Sequence, residues 1–290
     1  MSMMNAAKLV YRTMSLKVRG INSSHTRDYD NAASTYDDYY SRHLGREARD
    51  FMDAFPLKRG MKVLDLACGT GFFSHVLAER IGPEGNLTAV DLSPGMLARN
   101  RENAMAKGLT NIRFVEGDAI ETLGGLDERS MDAVICGWGV CYMDHAKFRM
   151  GVERVLRPGG FVAVIENRAC TLKDVSDLFR RVLLRHPDAI VKNMAINLPR
   201  DHRCLEKALC RGRLRKSSAR NGAVTVPCRN GTAIAEYMVR SGASAGFLDA
   251  LDRGMHDVIM NDFIELADQR FRRQAPVAVT HEYCTLIARH

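Results

Sequence analysis

The sequence has no apolar run that approaches the ~20 residues of a membrane-spanning helix, so no span is expected. Its eight cysteines include no CxxC pair, which argues against a zinc site or a disulfide framework. Reduced thiols in a cytoplasmic protein are the expectation, and no metal. Acids are missing from residues 1–27, which carry Lys8, Arg12, Lys17, Arg19 and Arg27. That segment also lacks the long apolar core of a secretory signal, and reads as a mobile or helical extension. Repeats and low-complexity tracts are missing too.

What is present allows one large domain, or one domain with a substantial insertion: 290 residues, 46% of them hydrophobic. The net charge of +8 is unevenly spread. Residues 200–220 hold Arg200, Arg203, Lys207, Arg211, Arg213, Arg215, Lys216 and Arg220 against Asp201 and Glu206. A basic run of this kind suits nucleic acid, an anionic membrane, an acidic protein or an anionic substrate, or is a solvated surface. Aromatic residues do not interleave with it, so it offers no stacking platform for nucleic acid.

Strand-like and helix-like segments alternate from residue 61. "MKVLDLA", "NLTAVDL", "IRFVEGDA", "MDAVICGW" and "FVAVIENR" read as five strands, with "RPGG" as a turn before the fifth. Between them, "GFFSHVLAERIG" has helical spacing, and "SPGMLARNRENAMAKG" has Ser93 as N-cap, Pro94 at the first helical position and Gly108 past the end. This order specifies an α/β fold, a mostly parallel doubly wound sheet. Residues 28–55 read as helical, with a second helix over "REARDFMDAF" that Pro56 ends; 171–185, 233–241 and 247–272 also read as helical, while 187–232 look irregular. "TLIAR" is the last strand. The expected organisation is an extension and helical lid (1–55), a nucleotide-binding core (56–166), a mainly helical insertion (167–275) and a closing strand (276–290).

The stretch "VLDLACGTGFFS", Val63 to Ser74, is the most informative. Gly69 and Gly71 let backbone approach a ligand, and the helix that follows offers free N–H groups. Asp91 ends the second strand, where an acid meets ribose hydroxyls in doubly wound folds. A dinucleotide would fit so far. Three features argue otherwise. Ser74 replaces the third glycine of G-x-G-x-x-G. Asp65 sits inside the first strand and would repel a pyrophosphate but attract a ligand carrying ammonium and sulfonium charges. Ala67 and Cys68 are small and leave room for a bulky tail. Asp118, closing the third strand, is placed to meet an adenine amine beside an apolar slot of Leu92, Met96 and Ile120. Asp91 and Asp118 could each also be a simple cap.

"VLDLACGTGFFS", "AVDLS", "EGDA", "MDAVICGW" and "LRPGGFVAVIE" together resemble the successive motifs of class I S-adenosylmethionine-dependent methyltransferases. "YDNAASTYDDYY" is similar to the segment that closes over the cofactor in the ubiquinone- and menaquinone-biosynthesis members. The resemblance covers about half the chain. It implies a Rossmann-like seven-stranded sheet of order 3-2-1-4-5-7-6 with strand seven antiparallel. It implies that Tyr29 and Tyr36 belong to the lid, and that Asp65, Gly69 and Gly71, with Ala67 and Cys68, surround the methionine part. It places Asp91 at the ribose, Asp118 and Ala119 at the adenine, and Gly137 and Trp138 beside the methyl group.

The implied cofactor is S-adenosyl-L-methionine. Methyl transfer from it needs alignment and a dry pocket more than it needs a base. His145 is the preferred candidate base; His25 and His43 flank the lid, and His43 and Tyr142 are candidates for the substrate wall. The segment after strand four is "CGWGVCYM", not (Asp/Asn)-Pro-Pro-(Tyr/Phe), which argues against an adenine or amide nitrogen acceptor. The expected acceptor is a small quinone-, polyketide- or lipid-like molecule, methylated on oxygen or carbon. RNA or protein gripped by residues 200–220, and a non-catalytic cofactor-binding regulator, remain alternatives. Peripheral membrane contact and a dimer stay open.

Overall fold

The computed structural model describes residues 3–273 and 278–290, with the side chain of residue 273 excepted. The chain opens with α1 (Met3–Val18), α2 (Thr26–Ala32), a π-helical turn over Asp37–Ser41 and α3 (Arg42–Met52). Strands and helices then alternate: β1 (Lys62–Leu66), α4 (Phe72–Ile81), β2 (Asn86–Asp91), α5 (Pro94–Ala106), β3 (Ile112–Glu116), α6 (Ala119–Gly125), β4 (Met131–Gly137), α7 (His145–Val155) and β5 (Leu156–Asn167). The remainder is α8 (Lys173–Leu183), α9 (His202–Leu209), β6 (Arg215–Val226), α10 (Gly231–Arg240), α11 (Phe247–Ala250), α12 (His256–Arg273) and β7 (Val279–Arg289).

The sheet order is β3-β2-β1-β4-β5-β7-β6, as expected. Strands β3, β2, β1, β4 and β5 run parallel, and β7 runs antiparallel to β5. Val63, Leu64 and Leu66 of β1 are wholly buried, which explains the near-continuous apolar run: a parallel strand is covered on both faces. All these parallel strands end along one edge of the sheet. Tyr283 of β7 pairs with Asn167 of β5, so β7 begins at that same edge.

Two compact units emerge. One comprises Ser41–Thr171, Ile196–Ala223 and Glu282–His290. Its core packs Leu66, Val134, Phe148, Val162, Leu205 and Leu286 into one cluster. The other comprises the chain up to Tyr40, Leu172–Ala195 and Val224–His281. Its core includes Leu178, Phe179, Tyr237, Ile259 and Phe263, with the rings of Phe179 and Phe263 stacked at 4.0 Å. The boundaries at 40 and 171 differ from the 55 and 166 expected from sequence, and the expected one at 275/276 lies outside the described residues.

The two helices expected within residues 28–55 are present as α2 and α3, joined through the π-helical turn, and α3 begins at Arg42, four residues before the expected start. Two local readings need correction. "RPGG" lies within β5, where Met131 pairs with Leu156 and Ala133 with Phe161. The extra residues form a bulge, and Gly159 there takes φ +82°. Residues 187–232 are not irregular, for they contain α9 and the edge strand β6.

Candidate functional site

The turn after β1 is the centre of the site. Asp65 is 1% exposed, and the Ser74 hydroxyl donates to its Oδ2 at 2.6 Å. Ser74, the residue in place of a third glycine, is therefore a buried partner of Asp65. Asn100 of α5 donates from Nδ2 to Ser74 Oγ at 3.3 Å and to Cys68 Sγ at 3.4 Å. Asn100 Oδ1 lies 2.9 Å from His75 Nε2, which carries the proton because its other neighbour, at 3.2 Å, is a carbonyl oxygen. Asp65 Oδ1 is buried and has no hydrogen-bond partner among the described residues. Burial, and then the Asp91 charge, push the Asp65 carboxyl up to about 7, against the pull of the Ser74 bond.

The two glycines differ in what they do. At Gly69, with φ +54°, a Cβ would meet nothing within 4 Å: this is open space where a ligand could lie. At Gly71, with φ +94°, a Cβ would stand 2.1 Å from Asn100 Oδ1 and 2.5 Å from His75 Nε2. Gly71 is thus required by packing at the start of α4, whereas Gly69 leaves open space.

Asp91 holds the turn in place. Its Oδ2 accepts from the Gly69 N–H at 2.8 Å and its Oδ1 from the Ser93 N–H at 2.9 Å. Asp118 is the N-cap of α6, and its Oδ1 accepts from the N–H groups of Ile120 and Glu121. Capping and ligand binding are compatible here, since a carboxylate has about four lone-pair sites. Ala119 and Met96 are buried, whereas Leu92 is 44% exposed and presents an apolar side chain between Asp91 and α5.

The turn after β4 touches the turn after β1. A Cβ on Gly139 would lie 2.4 Å from Ala67 Cβ, and one on Gly137 would lie 2.5 Å from the Phe73 ring. Ala67 and Trp138 both adopt positive φ, +55° and +63°. Such strain in residues with a Cβ costs free energy and gathers where function fixes the backbone. Trp138 packs edge-on against Tyr283, with centroids 5.8 Å apart. The Tyr283 hydroxyl donates to Glu47 Oε2 of α3 at 2.5 Å, and burial and the Glu47 charge push that phenol well above its usual range. His43 lies one turn before Glu47 on the same face of α3. Its imidazole is held below its usual value by burial and by Arg42.

Glu166, near the end of β5, was not singled out in the sequence. It is fully buried and pushed up to about 7 by burial. Its Oε2 accepts from the Cys141 N–H at 2.9 Å and its Oε1 from the Asn167 N–H at 2.8 Å. It therefore fixes the 3-10 turn Val140–Tyr142 that presents Tyr142 and leads to His145. The available signal was a lone acid inside a wholly apolar strand, as with Asp65. His145 is the first residue of α7, which Asp144 caps. Burial holds its imidazole below the usual value, so it is neutral near pH 7, and its Nε2 is buried without a hydrogen-bond partner among the described residues.

The strand ends thus bring together Asp65, Ala67, Cys68, Gly69, Gly71, Asp91, Asp118, Gly137 and Trp138. Tyr29 and Tyr36 belong to the other unit. There they form an aromatic cluster: Tyr29 to Tyr36 at 6.3 Å, Tyr36 stacked on Tyr40 at 5.1 Å, and Tyr40 edge-on to His281 at 5.6 Å. His25 packs edge-on to Tyr29 in the same cluster.

Residues 57–210 match the family described as "Methyltransferase domain". The demethylmenaquinone methyltransferase of Geobacillus stearothermophilus is 31% identical over 159 residues, 53% of this chain and 67% of that one. That of Listeria welshimeri is 35% identical over 119 residues, 41% of this chain and 50% of the relative. The chain therefore spans about half the length of the Listeria protein it matches. Among solved structures, one described as a methyltransferase of Bacillus halodurans covers 84% of this chain and 99% of its own, with a TM-score of 0.57 at 17% identity. At that identity the likeness is one of fold.

Proposed function

We propose that this chain, which belongs to the class I S-adenosylmethionine-dependent methyltransferases, methylates an oxygen or carbon of a small, largely apolar acceptor of quinone- or lipid-like character. One observation carries the reading of the site: Asp65 Oδ1 is a buried acceptor that lacks a donor among the described residues, beside a turn with open space at Gly69. A cationic amine is the donor that this oxygen fits, because a ligand's positive charge would draw a carboxyl poised near 7 into its charged form.

When bound, S-adenosylmethionine supplies a methyl carbon already activated by its sulfonium. The protein's own residues bind, orient and keep water out. Asp65 Oδ1 accepts from the ammonium. Asp91, pinned by two backbone N–H groups, directs its remaining lone pairs to the ribose hydroxyls. Asp118, with Oδ1 in the cap, offers Oδ2 to the adenine amine, and Leu92 and Ala119 flank the base. Glu166 acts as a positioning residue through the Cys141 N–H. His145 Nε2, neutral and unengaged, takes a proton from an acidic O–H or C–H of the acceptor. Trp138, Tyr142 and Tyr283 suit an apolar wall, with His43 on the neighbouring helix face. Tyr29 and Tyr36, on the tyrosine-rich segment, are assigned to the lid.

The acceptor class is supported by relatives described as demethylmenaquinone methyltransferases. The basic 200–220 run forms α9 and the outermost strand β6, where Lys216 pairs with Glu206 at 2.9 Å. Exposed cations on an edge strand discourage unwanted strand addition, which gives them a role without nucleic acid.

The test supplies isotopically labelled S-adenosylmethionine with demethylated quinones and, separately, with a soluble catechol, and follows the label by mass spectrometry. Label should enter the quinone. Transfer confined to the soluble catechol would overturn the acceptor class. In the same assay His145→Ala should lower kcat roughly 100-fold or more, in the range for loss of one positioned acid–base group. Cofactor affinity by calorimetry should stay within twofold; unchanged kcat would remove His145 as the base.

A further inference from the structure

Among the described residues, helix α1 meets its unit through the face that carries Asn5, Lys8, Arg12 and Leu16. Leu16 is buried, Asn5 Nδ2 donates to the Leu184 carbonyl, and Lys8 and Arg12 both engage Asp188. Arg12 also donates to the Ile190 carbonyl. The opposite face carries Met3, Met4, Val10, Tyr11, Met14 and Val18, all exposed, with Met3 at 91% and Val18 at 88%. At about 3.6 residues per turn, these six fall within roughly one third of the helix circumference. They form one continuous apolar stripe in water, where isolated exposed apolar residues would be ordinary.

Charge says what covers it. Residues 1–27 contain no acid, and Lys17 and Arg19 make no ion pair among the described residues. Lys17 borders the stripe on one side and Lys8 on the other. Against the four cations Lys8, Arg12, Lys17 and Arg19, the segment packed on α1 sets the single carboxylate of Asp188. A second copy of α1 laid on this stripe would bring like charges together with no acid to offset them. A surface of negative charge over an apolar interior meets both features at once.

We propose that α1 lies in the plane of an anionic lipid surface, with the Met3–Val18 stripe in the headgroup and acyl boundary and Lys17 and Arg19 at lipid phosphates. This goes beyond the methyl-transfer reading. It stands on α1 alone and would hold even for a soluble acceptor.

Flotation of the full chain with vesicles of phosphatidylcholine containing about one third phosphatidylglycerol tests it. The protein should float with these vesicles and not with pure phosphatidylcholine, and should be released as salt rises. Val10→Asp/Met14→Asp should weaken partition at least about tenfold. Both sites are exposed, and unchanged far-ultraviolet circular dichroism and cofactor affinity show that the variant still folds. Lys17→Glu/Arg19→Glu should weaken binding to anionic vesicles while leaving the helix intact. Failure of the native chain to float, or equal flotation of the Val10/Met14 variant, overturns the proposal. So does a dimer in solution that the same variant dissolves, which would make the stripe a self-association face.

Discussion

The two units bury different kinds of side chain. The sheet-bearing unit places acids in its interior: Asp65 and Glu166 are 1% and 0% exposed, each poised near 7. The mainly helical unit is held by aromatic packing, with Phe179 stacked on Phe263 and tilted against Phe247 at 4.5 Å. Buried charge is costly and specific, while aromatic burial stabilises without fixing chemistry. The contrast is between a few specific polar atoms at strand ends and the shape of an apolar core.

The largest test of this contrast is a pair of truncations. Phe148→Ala in the first core and Phe263→Ala in the second should each cost about 3–5 kcal/mol. If the units are separately cooperative, calorimetry should show each variant lowering a different transition. A single transition lowered equally by both would erase the distinction. Next comes Gly71→Ala, where a Cβ overlap with Asn100 adds to left-handed strain, together roughly 2–4 kcal/mol. Gly69→Ala meets only strain, roughly 1–2 kcal/mol, and should instead weaken cofactor binding. Urea titration and calorimetry separate the two, and equal stability losses would show that the open space at Gly69 has no meaning.

The last test concerns pH. Asp65 titrates near 7 in the folded chain against 3.8 when unperturbed, so the folded state binds that proton more tightly. Its contribution is complete below about pH 4 and is lost as pH rises through about 7. The ligand-free protein should therefore lose stability across that interval, and Asp65→Asn should make the profile shallower, with Glu166 supplying the remaining slope. Cofactor affinity of the native chain should rise over the same interval, because a cationic ligand needs the carboxylate. An affinity independent of pH would detach Asp65 from the ligand.

What the sequence disclosed follows the same division. The strand β1, its turn and the acids at 65, 91 and 118 were legible because each is specified within a few residues by period, capping and glycine. The sheet order followed from the resemblance of those motifs to a family. Strand β6 was not legible, because "RKSSARNGAVTV" is an exposed edge with no apolar alternation to mark it. Glu166 was hidden for the opposite reason: it lies in so apolar a strand that the strand was obvious and its one acid drew no notice. Its partner, the Cys141 N–H, is 25 residues away in sequence. The bulge at "RPGG" was read as a turn, since proline and glycine signal both and only pairing with β4 distinguishes them.

The chain has one tryptophan, and it stands in the turn after β4. Trp138 is therefore the sole indole emitter, and its fluorescence reports a single place. Tyr283, edge-on at 5.8 Å, is close enough to pass excitation to it efficiently. Ligand arrival beside the turn after β4 should register as a change in Trp138 emission, with no label attached. The molecule carries its own optical gauge of occupancy, and rapid mixing with S-adenosylmethionine would time the filling of the site before any methyl group moves.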